Sequence, residues 1–268
     1  MNAKQLFENG QLDAAIAAAT TDVKQQPTAA APRVSLATLL CFQGDFERAD
    51  KHVEALGRFD TQAAVGANRW RSLIRGATKR QDCFRAGRIP DFISPPGELD
   101  QTYLLMNVAL REGNSAEAAE LVQRIEATRP RLSGNCDGEA FTDFRDMNDT
   151  TASFFEILLV NGNYAWVGFD KLSRIEFRAP KRMLDMVWRE VQFMLKNGQE
   201  VLAFAPAIYP ATSTTSEEEL RLGLSTDWIS SGEGPTQGVG RRMYWAGDAE
   251  KDVFAIERID FDEVSTAT

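Results

Sequence analysis

Histidine is nearly absent: His52 is the only one among 268 residues. A multi-histidine metal site within one chain is thereby excluded, and any Ser-His-Asp or Cys-His catalytic arrangement would have to run through that one side chain. Cysteine is scarce as well. Cys41, Cys83 and Cys136 are odd in number and widely spaced, which fits neither a zinc knuckle nor a disulfide framework and points to reduced thiols. Long hydrophobic runs are missing; the longest uncharged stretch, residues 201–216, contains Pro206 and Pro210. The N-terminus carries Lys4 and Glu8 and lacks the apolar segment of a signal peptide, so a cytoplasmic protein with no membrane contact is expected. Basic charge is in deficit, 30 Lys and Arg against 39 Asp and Glu, which disfavours nucleic-acid binding as the role of the whole chain. What remains is ordinary globular composition, 43% hydrophobic and 26% charged, long enough for one large or two modest domains.

Charge is unevenly distributed. Residues 1–98 hold 13 basic and 11 acidic side chains, residues 99–268 hold 17 and 28. Within the first part, residues 69–88 carry seven basic side chains against Asp82 alone. Arg71, Arg75 and Lys79 recur at i, i+4 and i+8 on one helical face, opposite an apolar face of Trp70, Leu73, Ile74, Ala77 and Phe84. That face reads either as a docking site for an acidic partner or as a solvated helix surface.

The same region is organised by an internal repeat. Gly10-Gln-Leu12-x-x-Ala15 returns 34 residues later as Gly44-Asp-Phe46-x-x-Ala49 and again as Gly113-Asn-Ser115-x-x-Ala118. Pro27 and Pro130 follow the first and third glycines by 17 residues, and Thr61 stands where the second proline would be. Helix, glycine turn, helix and proline stop is a pattern similar to the tetratricopeptide (TPR) repeat: glycine closes the turn, alanine lets the helices approach, and proline ends the second helix. Residues 64–98 fill one repeat length without the signature. The register buries Leu36, Ala37, Leu40, Val53 and Leu56 in the second copy and Leu105, Ala109, Val122 and Ile125 in the third. Stacked hairpins form a solenoid with a concave surface. That surface would present Val34, Thr38 and Phe42 from one copy and Tyr103, Asn107 and Arg111 from another, open to a partner or filled by the helix that follows.

That helix is expected over Thr142–Val160, with Phe144, Met147, Thr151, Phe154, Phe155 and Leu158 on one face and a stop at Asn161-Gly162. Asp143, Asp146 and Asp149, with Asp137 ahead of them, would suit either a helix N-terminus or a divalent-metal cluster serving a metal-dependent hydrolase. After Tyr164 the helical period gives way to alternation. Residues 187–195 alternate, Asn197-Gly198 is a hairpin signal, and 201–205 return. Further strands are expected at 164–168, 172–178, 241–246 and 252–261, and a short helix after Ser216. The fold class expected is therefore α+β and multidomain: a TPR-like α-α solenoid over residues 1–160, then a small antiparallel β-barrel-like domain over 161–268. The glycine-rich run Gly232–Gly240 lacks G-x-x-x-x-G-K-[ST] and precedes a strand, so it is not a nucleotide cradle. Exposed aromatics such as Trp188 or Tyr244 would suit an RNA or peptide contact.

Eight stretches in order carry a family resemblance: LLCFQGDFERAD (39–50), CFRAGRIPDFI (83–93), SGNCDGEAFTDFRDMND (133–149), NGNYAWVGFDKLSRIEF (161–177), RMLDMVW (182–188), FAPAIYP (204–210), LRLGLSTDW (220–228) and GVGRRMYW (238–245). The chain resembles the ImpE/SciE-like (TagJ) accessory proteins of bacterial type VI secretion. The resemblance implies a cytoplasmic adaptor without catalysis and without a cofactor. It further implies partners: the small subunit of the contractile sheath, held by its N-terminal helix, and the AAA+ ATPase that recycles the sheath. A concave helical array suits an amphipathic helix with apolar anchors at i, i+3, i+4 and i+7. The residues expected to line the contact are Val34, Thr38, Phe42, Arg71, Arg75, Lys79, Tyr103, Asn107 and Arg111.

Overall fold

The computed structural model describes residues 1–59, 63–230 and 232–263; Thr61, the departure from the repeat's proline position, lies outside them. Five helices come first: α1 (Ala3–Glu8), α2 (Leu12–Gln25), α3 (Ala30–Gln43), α4 (Phe46–Phe59) and the long α5 (Ala63–Ala86). A two-residue strand β1 (Asp91–Phe92) separates them from α6 (Glu98–Arg111) and α7 (Ser115–Thr128). Gly10, Gly44 and Gly113 stand between α1 and α2, α3 and α4, and α6 and α7, at φ of 76°, 77° and 74°. In each turn the glycine N–H bonds a carbonyl three residues back and the next N–H one five back, as in Asn114 N to Ala109 O at 2.9 Å. This is the left-handed helix stop that a side chain would strain. The 64–98 slot is filled by α5 and an extended connection rather than by a hairpin. Leu36, Ala37, Leu40, Val53, Leu56, Ala109 and Ile125 are buried as their register requires, whereas Leu105 is 53% exposed.

Strands begin earlier than expected. Where a helix was predicted over Thr142–Val160, the chain forms β4 (Phe144–Asp146), a single helical turn at Asp149–Thr151 and β5 (Phe154–Leu159), after β2 (Gly134–Cys136) and β3 (Glu139–Phe141). The physical reason is visible in β5. Its residues are buried on both faces, so the apolar run mimics a helical stripe without having a helical period. Asn161-Gly162, read as a helix stop, is the hairpin turn between β5 and β6 (Tyr164–Gly168), with Gly162 at φ 87°.

The remaining elements are β7 (Leu172–Phe177), β8 (Trp188–Leu195), β9 (Glu200–Pro206), the short α8 (Glu218–Arg221), β10 (Thr226–Ile229), β11 (Gln237–Gly240), β12 (Met243–Ala246), β13 (Ala249–Asp252) and β14 (Arg258–Phe261). The Asn197-Gly198 hairpin pairs β8 with β9 in the expected antiparallel register, Val191 opposite Ala203. Of the stretch 252–261, only its last four residues form a strand apart from Asp252 at the end of β13. The main sheet has nine strands in the order β1-β6-β5-β9-β8-β7-β14-β2-β3, and its two edges do not pair with each other. The fold is thus α+β with a helical region followed by a β-rich one, and the sheet is open, not closed into a barrel.

Strand alternation divides the sheet's two faces. Phe154 and Leu158 of β5, Tyr164 and Trp166 of β6 and Phe204 of β9 join the same buried cluster as the helices. Their neighbours Phe155, Ile157, Ala165, Val167, Ala203 and Ala205 join a second cluster on the other face. The helical array therefore buries its apolar surface against the sheet, a task one set of short hairpins cannot complete alone.

Candidate functional site

The junction between α5 and the sheet holds the most unusual chemistry in the molecule. Glu156 lies mid-strand in β5 and, by alternation, faces the helices together with Phe154 and Leu158. It is 1% exposed, Asp146 is 0% and Arg242 is 1%. Arg80 of α5 grips Glu156 in a fork, Nε to Oε1 at 2.7 Å and Nη2 to Oε2 at 2.9 Å. Arg242 bridges the two carboxylates, donating to Asp146 Oδ2 at 2.6 Å and to Glu156 Oε2. Tyr164 donates to Glu156 at 2.5 Å and receives the indole N–H of Trp166 at 2.6 Å. Tyr209 donates to Asp146 at 2.8 Å. Two carboxylates and two guanidinium groups balance, which is the condition for keeping four charges out of water.

Protonation follows from this pairing. Burial alone would raise the Glu156 carboxyl, but the guanidinium groups of Arg80 and Arg242 outweigh it and hold the group down at about 2. Asp146 has only Arg242, and there burial wins and raises it. The tyrosine that serves Asp146 is itself held by a glycine: a Cβ on Gly238 would lie 2.3 Å from the Tyr209 ring. The last two glycines of the run, Gly238 and Gly240, therefore allow close packing in β11.

Beside this network a groove runs between the C-terminal half of α5 and residues 206–214. Its inner part is lined by Phe42, Phe46, Ala77, Trp188 and Ile208, and Phe84, Arg85, Pro210 and Ser213 carry it on to a wider outer cleft. The outer cleft, about 370 Å³, adds Asn107, Leu110, Arg111 and Ile229.

Of the nine residues expected to bind a partner, this groove brings together three, Phe42, Asn107 and Arg111. Val34 is 42% exposed on α3, while Thr38 and Phe42 are buried, Thr38 bonding the Val34 carbonyl at 2.9 Å. Tyr103 is buried against Phe154 and donates to Ser153 Oγ at 2.8 Å. The concave side is thus occupied by the sheet, not by a following helix. The basic run is largely used internally. Arg71 pairs with Asp50 at 2.7 Å, Arg75 donates to Ser72 at 2.7 Å, Lys79 reaches Asn163 Oδ1 at 2.5 Å, and Arg69 reaches Glu190 of β8 at 3.0 Å.

The four aspartates do not form a metal cluster. Asp137 caps the backbone of Glu257 and Arg258, Asp143 pairs with Arg129 and Arg131, and Asp146 belongs to the buried network. Asp149 binds Arg145 at 2.6 Å and the Thr236 N–H at 2.8 Å. Among the described residues no group of three or more His, Cys, Asp or Glu side chains converges. This geometry does not favour the hydrolase reading, since each of the four carboxylates already has its own partner. His52, on α4, is half-buried and its pKa is lowered by burial first and then by Arg33 and Arg48. The three cysteines are free and buried, and burial pushes the Cys41 and Cys83 thiols up to about 12, so they are poor nucleophiles. Trp188 and Tyr244, expected as exposed stacking platforms, are buried. No described helix is long and apolar enough to cross a membrane.

Comparison with known proteins follows the same lines. Residues 138–260 match the family model of the ImpE protein. The chain is 28% identical over 262 residues to the type VI secretion system accessory component TagJ of Pseudomonas aeruginosa, covering 98% of this chain and 92% of that protein. A crystal structure of protein VPA1032 from Vibrio parahaemolyticus shares the fold at a TM-score of 0.92, with 24% identity and 98% of each chain covered.

Proposed function

The chain belongs to the ImpE/TagJ family, and from that premise we propose that it is a non-catalytic, cytoplasmic accessory protein of type VI secretion. In this reading it holds the N-terminal helix of the small contractile-sheath subunit and links the sheath to its recycling AAA+ ATPase. The observation that carries the reading is the end-to-end similarity to a secretion accessory component. The chemistry described above supports it. Charged groups at the junction neutralise one another in place of being poised for proton transfer, and the cysteines are buried. A groove between two packed regions, apolar inside and polar at its mouth, suits a helix that inserts a few apolar anchors while charge sets its direction.

The test is calorimetric titration of a synthetic N-terminal peptide of the small sheath subunit into the full chain. Saturable binding is expected. Absence of heat at high micromolar peptide would contradict the adaptor reading, and crosslinks from the ATPase that never reach this chain would contradict its linking part.

A further inference from the structure

The outer cleft has an electrostatic character opposite to that of the chain around it. The protein carries a formal charge of −9, yet no Asp or Glu lines this cleft, while Arg85 and Arg111 both do. Neither arginine has a carboxylate partner among the described residues, although Arg69, Arg71 and Arg80 of the same helix are all paired. Arg111 makes one long bond, Nη1 to the Cys83 carbonyl at 3.4 Å. Its guanidinium lies 3.0 Å from where a side chain on Gly87 would begin, which puts it beside the end of α5 that carries Arg85. Asn107, 4% exposed on the same wall, has an amide nitrogen with no acceptor. The buried Asn107 amide is thus a donor without an acceptor, a condition that costs free energy until a ligand supplies one, and the two guanidinium groups on the same wall carry no counter-charge among the described residues. The rest of the lining is mixed: Ser213, Thr214 and Gln237 stand beside an apolar part made by half-buried Leu110 and Phe84 and exposed Ile229.

We propose that the outer cleft is a separate binding site for an acidic peptide segment of a partner protein. A carboxylate of the segment engages Arg85 and Arg111, and an adjacent apolar side chain covers Leu110 and Ile229. A carboxylate is the acceptor that two guanidinium groups match best, and the apolar wall distinguishes a peptide from a bare anion. The site goes beyond the adaptor reading, and either can fail while the other stands.

The test is fluorescence anisotropy with the full chain and a labelled amphipathic peptide carrying Leu and Glu at helical spacing, together with two variants of that probe, Glu→Gln and Leu→Ser. The acidic probe is expected to bind saturably, about tenfold more tightly than its Gln twin, and to weaken as salt rises. Arg85→Gln and Arg111→Gln are each expected to remove that preference with the melting temperature unchanged; Arg85 is exposed, so its variant is a safe control for folding. No binding of the acidic probe, equal binding of the Gln twin, or indifference to both arginine substitutions would overturn the proposal. Undiminished binding of the Leu→Ser probe, or full competition by tripolyphosphate, would assign a simple anion site and overturn it as well. The sheath-subunit peptide is run alongside. If it binds in both arginine variants while the acidic probe does not, the two sites are distinct; if it alone fails, the adaptor reading falls and the cleft stands.

Discussion

The two faces of the main sheet are both buried, but by different chemistry. Toward the helices, Phe154, Trp166 and Phe204 share the face with Glu156, which belongs to a network of four charges that neutralise one another, Arg80, Glu156, Arg242 and Asp146. On the far face, phenyl rings pack against each other, Phe144 lying 5.1 Å from Phe169 and 5.4 Å from Phe261 between centroids. Arg189, on this face, is buried without a carboxylate partner among the described residues; it donates to the carbonyls of Arg178 and Val253 and lies 4.9 Å from the Phe177 ring centroid. The far face stabilises by area and packing, which many arrangements of similar residues could supply. The near face adds a contact of fixed geometry: Arg80 of α5 meets Glu156 of β5 in a two-pronged pair, beside the groove between helix and sheet.

Removing the bridging arginine should cost the near face most. Arg242→Met leaves Asp146 facing no cation and Glu156 with one, and is expected to cost about 3–5 kcal/mol in urea unfolding. Adding Asp146→Asn removes one charge of the opposite sign and is expected to restore a large part of the loss. If the double variant is as unstable as the single, charge balance is not what matters there. Next comes acid. Glu156 is held at about 2 against an ordinary 4.5, so its contribution is complete above pH 4.5 and is lost as pH falls toward 2. By linkage this is on the order of 3 kcal/mol. Asp146 is raised and works in the opposite sense, its protonation on acidification favouring the folded state. Glu156→Gln should therefore flatten the loss of stability between pH 4.5 and 2, measured by unfolding at each pH. Arg189→Met sharpens the contrast from the far side. It strands no counter-charge and only two carbonyls, so a cost of about 1–3 kcal/mol is expected, smaller than for Arg242→Met. The smallest effect belongs to the rim. Arg221 and Asp13 meet at 3.0 Å between α8 and α2, with Asp13 largely exposed; Asp13→Ala is expected to change stability by less than about 1 kcal/mol.

Local signals in the sequence carried much of this fold. Gly10, Gly44 and Gly113 mark helix turns because no other residue accepts that backbone at so little cost, and Asn197-Gly198 marks its hairpin for a similar reason. Residues 142–160 read as one helix, although they hold β4 and β5, because β5 is buried on both sides, which leaves no alternation to see. The junction network was hidden for another reason. Its members lie 76, 86 and 96 residues apart in sequence, and no local rule pairs them. One hint was present: Glu156 stands alone in Phe-Phe-Glu-Ile-Leu-Leu, a charge inside a strand that must be buried and so must have a partner. The basic run on α5 was the other half of the same message. Its excess charge is matched across the junction at Arg69 and Arg80 and, among the described residues, left unmatched at Arg85.

The claim that the junction of helices and sheet is where a partner is held can be tested in one measurement. Hydrogen–deuterium exchange of the full chain, with and without the small sheath subunit, reports which backbone amides are covered or stabilised. Slowed exchange concentrated in the C-terminal halves of α3 and α5 and in residues 206–214, which line the inner groove, is the predicted result. Unchanged exchange in those three segments, with protection on the far face of the sheet or on none of the chain, would contradict it.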